Sequence, residues 1–377
     1  MSSLVRKTLL REWPRFVPAA LAICFTGVLL IVQTALVLGI FGSAAIYVNA
    51  SSADLWIGYP GTQSVNLGRN IQSDVEMALR MQPGIRAVEP LLWHEGDWRQ
   101  RPENSGVSIY MIGIDTAAQG MAFQRLLTPE QRWRLQQPDS VIVDRADLDQ
   151  LGVGIGDSAW VDGRRMTVVG VTQGMRALGG VNVLASLDTV RNFDSDPASR
   201  QRATYLLASG DGSVSADALR QQMRPRAGFG PYAIWTASEF ARQSQLFWMF
   251  DTGAGVAVLF LAIIVMLVGA VISSQALMAV VMGSVREYAT LNALGVGMRS
   301  LRLIVLEQAT WIGGIGAVLA LLLSALLLAL AGSRDVPVDM NLQAALACCA
   351  LLLLLALTSG LLAMRALIHA EPALLLH

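Results

Sequence analysis

Lysine is almost missing from this chain: Lys7 is the only one, and arginine carries the rest of the positive charge. With a net charge of zero and no isolated basic cluster, the arginines read as composition bias, and no nucleic-acid partner is expected. Cysteine is nearly as scarce. Cys24, Cys348 and Cys349 all lie inside apolar runs, and no Cys-x-x-Cys occurs. That excludes a disulfide framework in the polar part of the chain and leaves the neighbouring Cys348 and Cys349 as small apolar fillers. The polar region must therefore hold together by ordinary packing, for which about 200 residues suffice.

Recognisable catalytic patterns are missing too. No Gly-x4-Gly-Lys-Ser/Thr sequence exists, so the chain is not itself expected to hydrolyse ATP. Gly152, Gly154 and Gly156 stand close together, but their spacing is wrong for a phosphate loop and their flanks read as strands, which makes them turn formers. His94-Glu95 with Asp97 is the only histidine–carboxylate grouping of the polar region, and one histidine cannot build a His-rich metal site. Asp144, Asp147 and Asp149 lack the glycine and terminal glutamate of a calcium loop. No nucleophile elbow is present, and Trp93, Trp98, Trp133 and Trp160 read first as core residues. The expectation is a chain with no catalytic residues, no cofactor and no metal of its own.

The most informative absence is local. Phe16–Ala53, Thr252–Val285, Gln308–Ser333 and Met340–Met364 contain no Asp, Glu, Lys or Arg. Each exceeds the roughly 20 residues a helix needs to cross a bilayer's hydrocarbon core. The mean hydropathy of +0.49 is concentrated in these runs, which predict four membrane spans. The expected division is a cytoplasmic segment 1–15, span one at 16–46, an outer domain at 47–240, and a stalk with span two at 241–283. A cytoplasmic segment 284–302, span three at 303–332, an outer loop 333–340, span four at 341–364 and a cytoplasmic tail 365–377 follow.

Arg6, Lys7, Arg11 and Arg15 precede the first run, which is too long for a cleaved signal and has no prompt Ala-x-Ala site, so it reads as an anchor. The segment before Pro14 is either an amphipathic interfacial helix or a basic tail that fixes topology. With Arg286, Arg299 and Arg302 between spans two and three and Arg365 after span four, both termini are expected on the cytoplasmic side of a bacterial inner membrane. The 195 or so residues between the first two spans then face the periplasm.

Within that outer region a helix is predicted over Gln72–Met81, stopped by Pro83-Gly84, and strands over Ile85–Trp93 and Val107–Ile114. Thr116–Asp139 reads as less ordered. Ser140–Val143, Ser158–Val161 and Met166–Val171 read as strands, the last two joined by an Asp162-Gly163 hairpin turn. Ala203–Ala208 and Tyr232–Thr236 read as further strands and Ala216–Met223 as a helix. Ser238–Phe250 is expected to be helical and to run without interruption into span two.

Small residues along Gly269–Ala279 permit close helix approach, and Gly27, Gly39–Gly42 and Gly313–Gly316 are candidate dimer contacts. Glu307, one turn into span three, would be costly alone and is expected to pair with Arg302 or Arg299 near the interface.

The charged break between spans two and three carries a resemblance. Val285-Arg-Glu-Tyr-Ala-Thr-Leu-Asn-Ala-Leu-Gly295, followed by Glu307 and Gly313-Gly-Ile-Gly316, resembles the core of the FtsX-like permease family. One span, an outer domain and three further spans are similar to the MacB/LolC/LolE type of ABC transporter subunit. The variant without a fused ATPase is similar to DevC-like permeases, whose ending Glu371-Pro-Ala373 also resembles. The resemblance implies an α+β fold of type VII ABC architecture, with four transmembrane helices and a large mixed α/β periplasmic domain between spans one and two. It further implies a homodimer or paired permease and a separate cytosolic ABC ATPase that binds ATP and Mg. Ser284–Arg302 would be the coupling element, with Arg286, Glu287, Leu291, Leu294, Gly295 and Arg299 at the docking surface. The DevC-like variant adds a periplasmic adaptor and an outer-membrane channel, while membrane lipids surround the spans. Lipoprotein release, and a signalling scaffold that activates a periplasmic hydrolase, are the alternative functions.

Overall fold

A computed structural model describes residues 13–103, 105–176, 178–196, 200–223, 230–283, 297–334 and 336–369, with the backbone alone at 277, 281, 298–302 and 362–369. The chain divides into two units, one of residues 40–255 and one of residues 1–39 with 256–377. In chain order the helices and strands begin with α1 (Trp13–Ser43), α2 (Ile46–Asn49), β1 (Leu55–Gly58), α3 (Asp74–Arg80), β2 (Ile85–Arg99) and β3 (Val107–Ile114). Next come α4 (Pro129–Arg134), β4 (Ser140–Asp144), α5 (Leu148–Leu151), β5 (Ser158–Val161), β6 (Arg164–Thr172), β7 (Val181–Ser186) and α6 (Leu187–Arg191). The remainder is β8 (Tyr205–Gly210), α7 (Ala216–Gln222), β9 (Ala233–Thr236), α8 (Ala237–Leu246), α9 (Ala254–Gly283), α10 (Met298–Gly332) and α11 (Leu342–His369).

The polar unit is built on β2, which is 15 residues long and serves two sheets. Its first half pairs antiparallel with β8, which continues through β1 to β9. Its second half pairs with β3, and from there the order runs β3-β7-β4-β6-β5. Trp98 and Arg99 then pair with Val161 and Trp160 of β5, so this sheet returns to its starting strand. The closure removes the unpaired edges an open sheet would present.

Alternation explains the ring's filling. Ile109 and Met111, Val141 and Val143, Ala159 and Val161, Met166 and Val168, and Val181 and Val183 share one core. Each pair stands two residues apart on its strand, as successive side chains on one face must. The intervening Ile112, Ile114, Ile142 and Leu184 join a second core with Tyr47, Trp56, Phe123, Tyr205 and Phe240. Strands buried on both faces read as near-continuous apolar runs, which is why β4 and β7 have little polar alternation. A third core lies under the β9-β1-β8 sheet and takes Val75 and Leu79 from α3 and Leu219 from α7.

The β5–β6 connection is the expected two-residue hairpin. Asp162 and Gly163 have φ of +47° and +83°, the left-handed pair that a type I′ turn requires. Elsewhere the structure adds elements to the sequence reading. β1, β7 and α6 were not expected, and α4 lies within the stretch read as less ordered.

In the other unit, α1, α9, α10 and α11 are each long and apolar enough to cross a membrane. Glycines let these helices approach closely. A Cβ at Gly27 would lie 2.6 Å from Ala320 Cβ, at Gly316 2.8 Å from Ile23, and at Gly313 2.7 Å from Ala356 Cβ. Gly39 approaches the backbone of Pro337 just as closely. Gly27, Gly39, Gly313 and Gly316, proposed above as dimer contacts, are thus occupied by packing within the chain. Leu259, Phe260, Ile263, Leu267 and Val271 of α9 remain exposed, as side chains facing lipid are.

Candidate functional site

The candidate site is the segment through which the outer domain's chain leads toward span two. It starts at β9, whose last residue Thr236 caps α8 by accepting the Glu239 amide at 3.3 Å. One turn on, Phe240 is fully buried, with its ring stacked on Trp235 at 4.8 Å and 13°. Trp56 and Tyr205 approach the same ring at 5.7 and 5.6 Å. These four aromatics bind α8 to the β9-β1-β8 sheet through large buried area and favourable tilted geometry.

Polar ties along the helix add direction. Ser244 Oγ accepts the Val65 amide at 3.2 Å, and Gln243 Nε2 donates to the Thr62 carbonyl at 2.7 Å. Trp248 Nε1 donates to Ser64 Oγ at 3.2 Å and Asn66 Oδ1 at 3.3 Å. The loop at 62–66 therefore clasps two successive turns of the segment. Arg220 of α7 and Glu239 of α8 form an ion pair at 2.8 Å. Beside this pair is an open groove of about 660 Å³, whose lining includes Leu246, Phe247 and Phe250 together with Asp217, Arg242 and Asp251.

The sequence predicted an uninterrupted helix from here into span two, and the structure corrects that. After Leu246 the helix widens to a π turn over Phe247–Asp251, and Thr252-Gly253 breaks it before α9. Gly253 has φ of +75°, and Thr252 Oγ1 folds back onto the Trp248 carbonyl at 2.6 Å. Gly255 sits so tightly that a Cβ there would lie 2.1 Å from the Met249 carbonyl oxygen. The cause is local: only glycine takes that left-handed backbone without strain and permits that approach. The signal was in the sequence, as Thr252-Gly253-Ala-Gly255, but it lies at the start of an apolar run that reads as helix. π turns occur mostly as single turns within helices, frequently at functional sites.

The expected coupling residues Arg286, Glu287, Leu291, Leu294 and Gly295 lie outside the described residues. Arg299 and Arg302 fall on α10, where only the backbone is described, so their pairing with Glu307 lies outside as well. Glu307 itself is half-buried on α10.

The groupings tested for chemistry resolve into structural roles. His94 does not face Glu95 or Asp97; its Nε2 lies 2.9 Å from Asp162 Oδ2, in the hairpin turn, because Glu95 points to the opposite face of β2. Asp144 accepts the amides of Ala146 and Met175 at 2.9 and 2.6 Å and so shapes the turn after β4. Asp147 is buried 3.6 Å from Arg176, and burial raises its carboxyl above the ordinary range. Among the described residues no group of three or more His, Cys, Asp or Glu is placed to hold a metal ion. Trp98 is core, its indole bonded to the Leu151 carbonyl at 3.1 Å, whereas Trp133 is exposed.

One buried polar pair escaped the sequence reading. Glu89 accepts the amides of Met121 and Ala122, and Arg132 donates to the carbonyl oxygens of Asp115 and Ala122. Burial raises the Glu89 carboxyl. Together they satisfy the backbone of the 115–123 loop, which has no strand to pair with.

Comparisons with known proteins fit this geometry. Residues 19–226 match the model of the MacB-like periplasmic core domain, and residues 233–372 match that of the FtsX-like permease C-terminal domain. No match was found among curated proteins. Solved structures that resemble the chain include the following two. The crystal structure of the periplasmic region of MacB from Actinobacillus actinomycetemcomitans is 15% identical and covers 52% of this chain and 94% of its own, with a TM-score of 0.37. That of the extracellular domain of the noncanonic ABC-type transporter YknZ from Gram-positive bacteria is 10% identical and covers 49% and 100%, with a TM-score of 0.33. At those TM-scores the two structures add no weight to the family models. The junction of the two family matches, between residues 226 and 233, falls just before β9 and the α8 segment. With the periplasmic-core match alone spanning more than half of its 377 residues, the chain belongs to the MacB-like, FtsX-like family of ABC transporter permeases.

Proposed function

We propose that this chain is the permease subunit of an ATP-driven exporter, in which a separate cytosolic ABC ATPase, binding ATP and Mg, drives motion of the periplasmic domain. Permeases of this family work with ABC ATPase partners, and this chain carries no nucleotide loop of its own. The observation that carries the reading is α8. It is fixed to the domain core by Phe240, and only seven residues, five of them in the π turn, separate it from α9, so a displacement of the span would reach the domain through a short connection.

Ser284–Arg302 is the proposed docking surface, with Arg286, Glu287, Leu291, Leu294, Gly295 and Arg299 against the ATPase and Arg302–Glu307 as an interfacial pair. In this reading both termini lie in the cytoplasm, and the permease acts as a homodimer or a paired permease. A periplasmic adaptor and an outer-membrane channel would complete a tripartite assembly.

Mild-detergent purification of the full chain from its host, with mass spectrometry of proteins and lipids, tests this. The expected result is a co-purifying ABC ATPase whose hydrolysis rate changes on Glu287→Ala or Leu294→Ala. A complex with no nucleotide-binding subunit contradicts the proposal. A retained acylated protein would redirect it to lipoprotein release, and a retained hydrolase to signalling.

A further inference from the structure

The groove beside the Arg220–Glu239 pair changes in polarity along the helix that lines it. Glu239, Arg242, Leu246 and Phe250 stand three or four residues apart, so they share one face of α8 and the π turn over successive turns. The lining thus begins with two charged residues and passes to Leu246, Phe247 and Phe250 as the chain nears α9. The volume of about 660 Å³ falls within the roughly 300–1,000 Å³ of clefts that take drug-sized ligands.

The length of α9 says what borders this groove. Its 30 residues make a helix of about 45 Å. That length matches a bilayer with both headgroup layers, about 40–45 Å, rather than the hydrocarbon core of about 30 Å alone. The start of α9 at Ala254 therefore reaches the headgroup layer that borders the outer domain. Phe250 stands four residues earlier, within about 14 Å of that start by chain length alone. Asp251 is the last charged residue before the uncharged run that begins at Thr252. At this level Phe250 is 54% exposed and Leu246 42% exposed, with Phe247 half-buried between them. A single exposed apolar residue needs no explanation, but three that line one groove mark a contact surface.

We propose that this groove holds a phospholipid of the leaflet that borders the outer domain. Its upper acyl chain lies along Leu246, Phe247 and Phe250, and its headgroup lies toward Arg242 and the Arg220–Glu239 pair. The polarity of the lining then runs in the same order as that of the lipid, and the apolar side chains leave water. The site needs α9 as a span and needs no partner ATPase, so it stands or falls apart from the exporter reading.

The test uses the full chain in nanodiscs of phosphatidylethanolamine and phosphatidylglycerol, without nucleotide or partner. A trace of phosphatidylcholine with a diazirine high on one acyl chain is added, and light-driven crosslinks are mapped by mass spectrometry. The expected result is labelling within 246–250 alongside that of exposed Leu259 and Phe260 on α9, which serve as the internal reference. Leu246→Ser and Phe250→Ser should each lower labelling of the remaining groove residues about threefold or more against that reference. Neither side chain belongs to a core of the outer domain, so its melting should stay as in the parent. Labelling confined to α9, or unaltered by both substitutions, overturns the proposal. Joining of two chains through Leu246→Cys by a bifunctional thiol reagent, after replacement of Cys24, Cys348 and Cys349, also overturns it, because a second copy would then cover the groove.

Discussion

Phe240 lies almost parallel to Trp235, with ring centroids 4.8 Å apart and planes 13° apart, and Phe240 has no exposed surface. The first ring belongs to α8 and the second to β9, so this contact joins the helix that leads toward the membrane to the sheet of the outer domain. Replacing Phe240 by Ala should cost about 3–5 kcal/mol, the range for emptying a buried aromatic site. Denaturant unfolding of the full chain in detergent reads that loss. A loss under about 1 kcal/mol would mean that the site collapses and that α8 is held chiefly by the polar clasp at 62–66.

The turn at Gly253 and Gly255 is expected to respond differently. Gly253→Ala forces a side chain into a left-handed backbone, at about 1–2 kcal/mol. Gly255→Ala places a methyl group against the Met249 carbonyl oxygen, where backbone must shift. Both changes should leave melting of the outer domain within a few degrees of the parent, because neither glycine contributes to its cores. Both should reduce stimulation of the proposed partner ATPase by whatever binds the outer domain. Unchanged stimulation in both variants would remove the π turn from the coupling path.

Gly27 tests the helical unit. A larger side chain there meets Ala320 and Leu352 at 2.6 and 2.7 Å. Gly27→Leu should therefore lower the detergent melting temperature by overpacking, worth about 1–3 kcal/mol. If the variant instead melts as the parent does but separates into single chains, Gly27 is a contact between chains.

Asp147 predicts a pH dependence. Burial, with a smaller contribution from Asp144, raises its folded-state carboxyl above the unfolded value, and Arg176 only partly opposes this. A raised carboxyl contributes stability that is whole below the unfolded pKa and is lost as pH rises through the folded one. Asp147→Asn, neutral throughout, should thus melt higher than the parent at pH 7. The gap should close as pH falls through the range in which the folded carboxyl protonates. A variant less stable than the parent at pH 7 would show that the ion pair to Arg176 outweighs burial.

Much of this architecture is legible in the residues, and the exceptions have physical causes. The four apolar helices follow from the uncharged runs, and β3, β5 and the Asp162-Gly163 turn stand where alternation and turn chemistry put them. β7 was missed because Val181–Ser186 is buried on nearly every residue and offers no period of two. α4 was missed although its signal was present: Thr128 and Gln131 form a reciprocal capping box around Pro129. The closure of β5 onto β2 rests on pairings between residues about 60 apart, which no local pattern encodes. The His94–Asp162 link is equally non-local, so grouping His94 with its sequence neighbours misplaced it.

The central claim is that a cytosolic ATPase grips the segment 284–302, which requires that segment to face the cytoplasm. Glu287→Cys and Asp211→Cys, each introduced after replacement of Cys24, Cys348 and Cys349, should be exposed in intact spheroplasts to a thiol reagent that cannot cross membranes. The predicted result is labelling of the cysteine at 211 at once and of the cysteine at 287 only after the membrane is opened. Labelling at 287 in intact spheroplasts would contradict it.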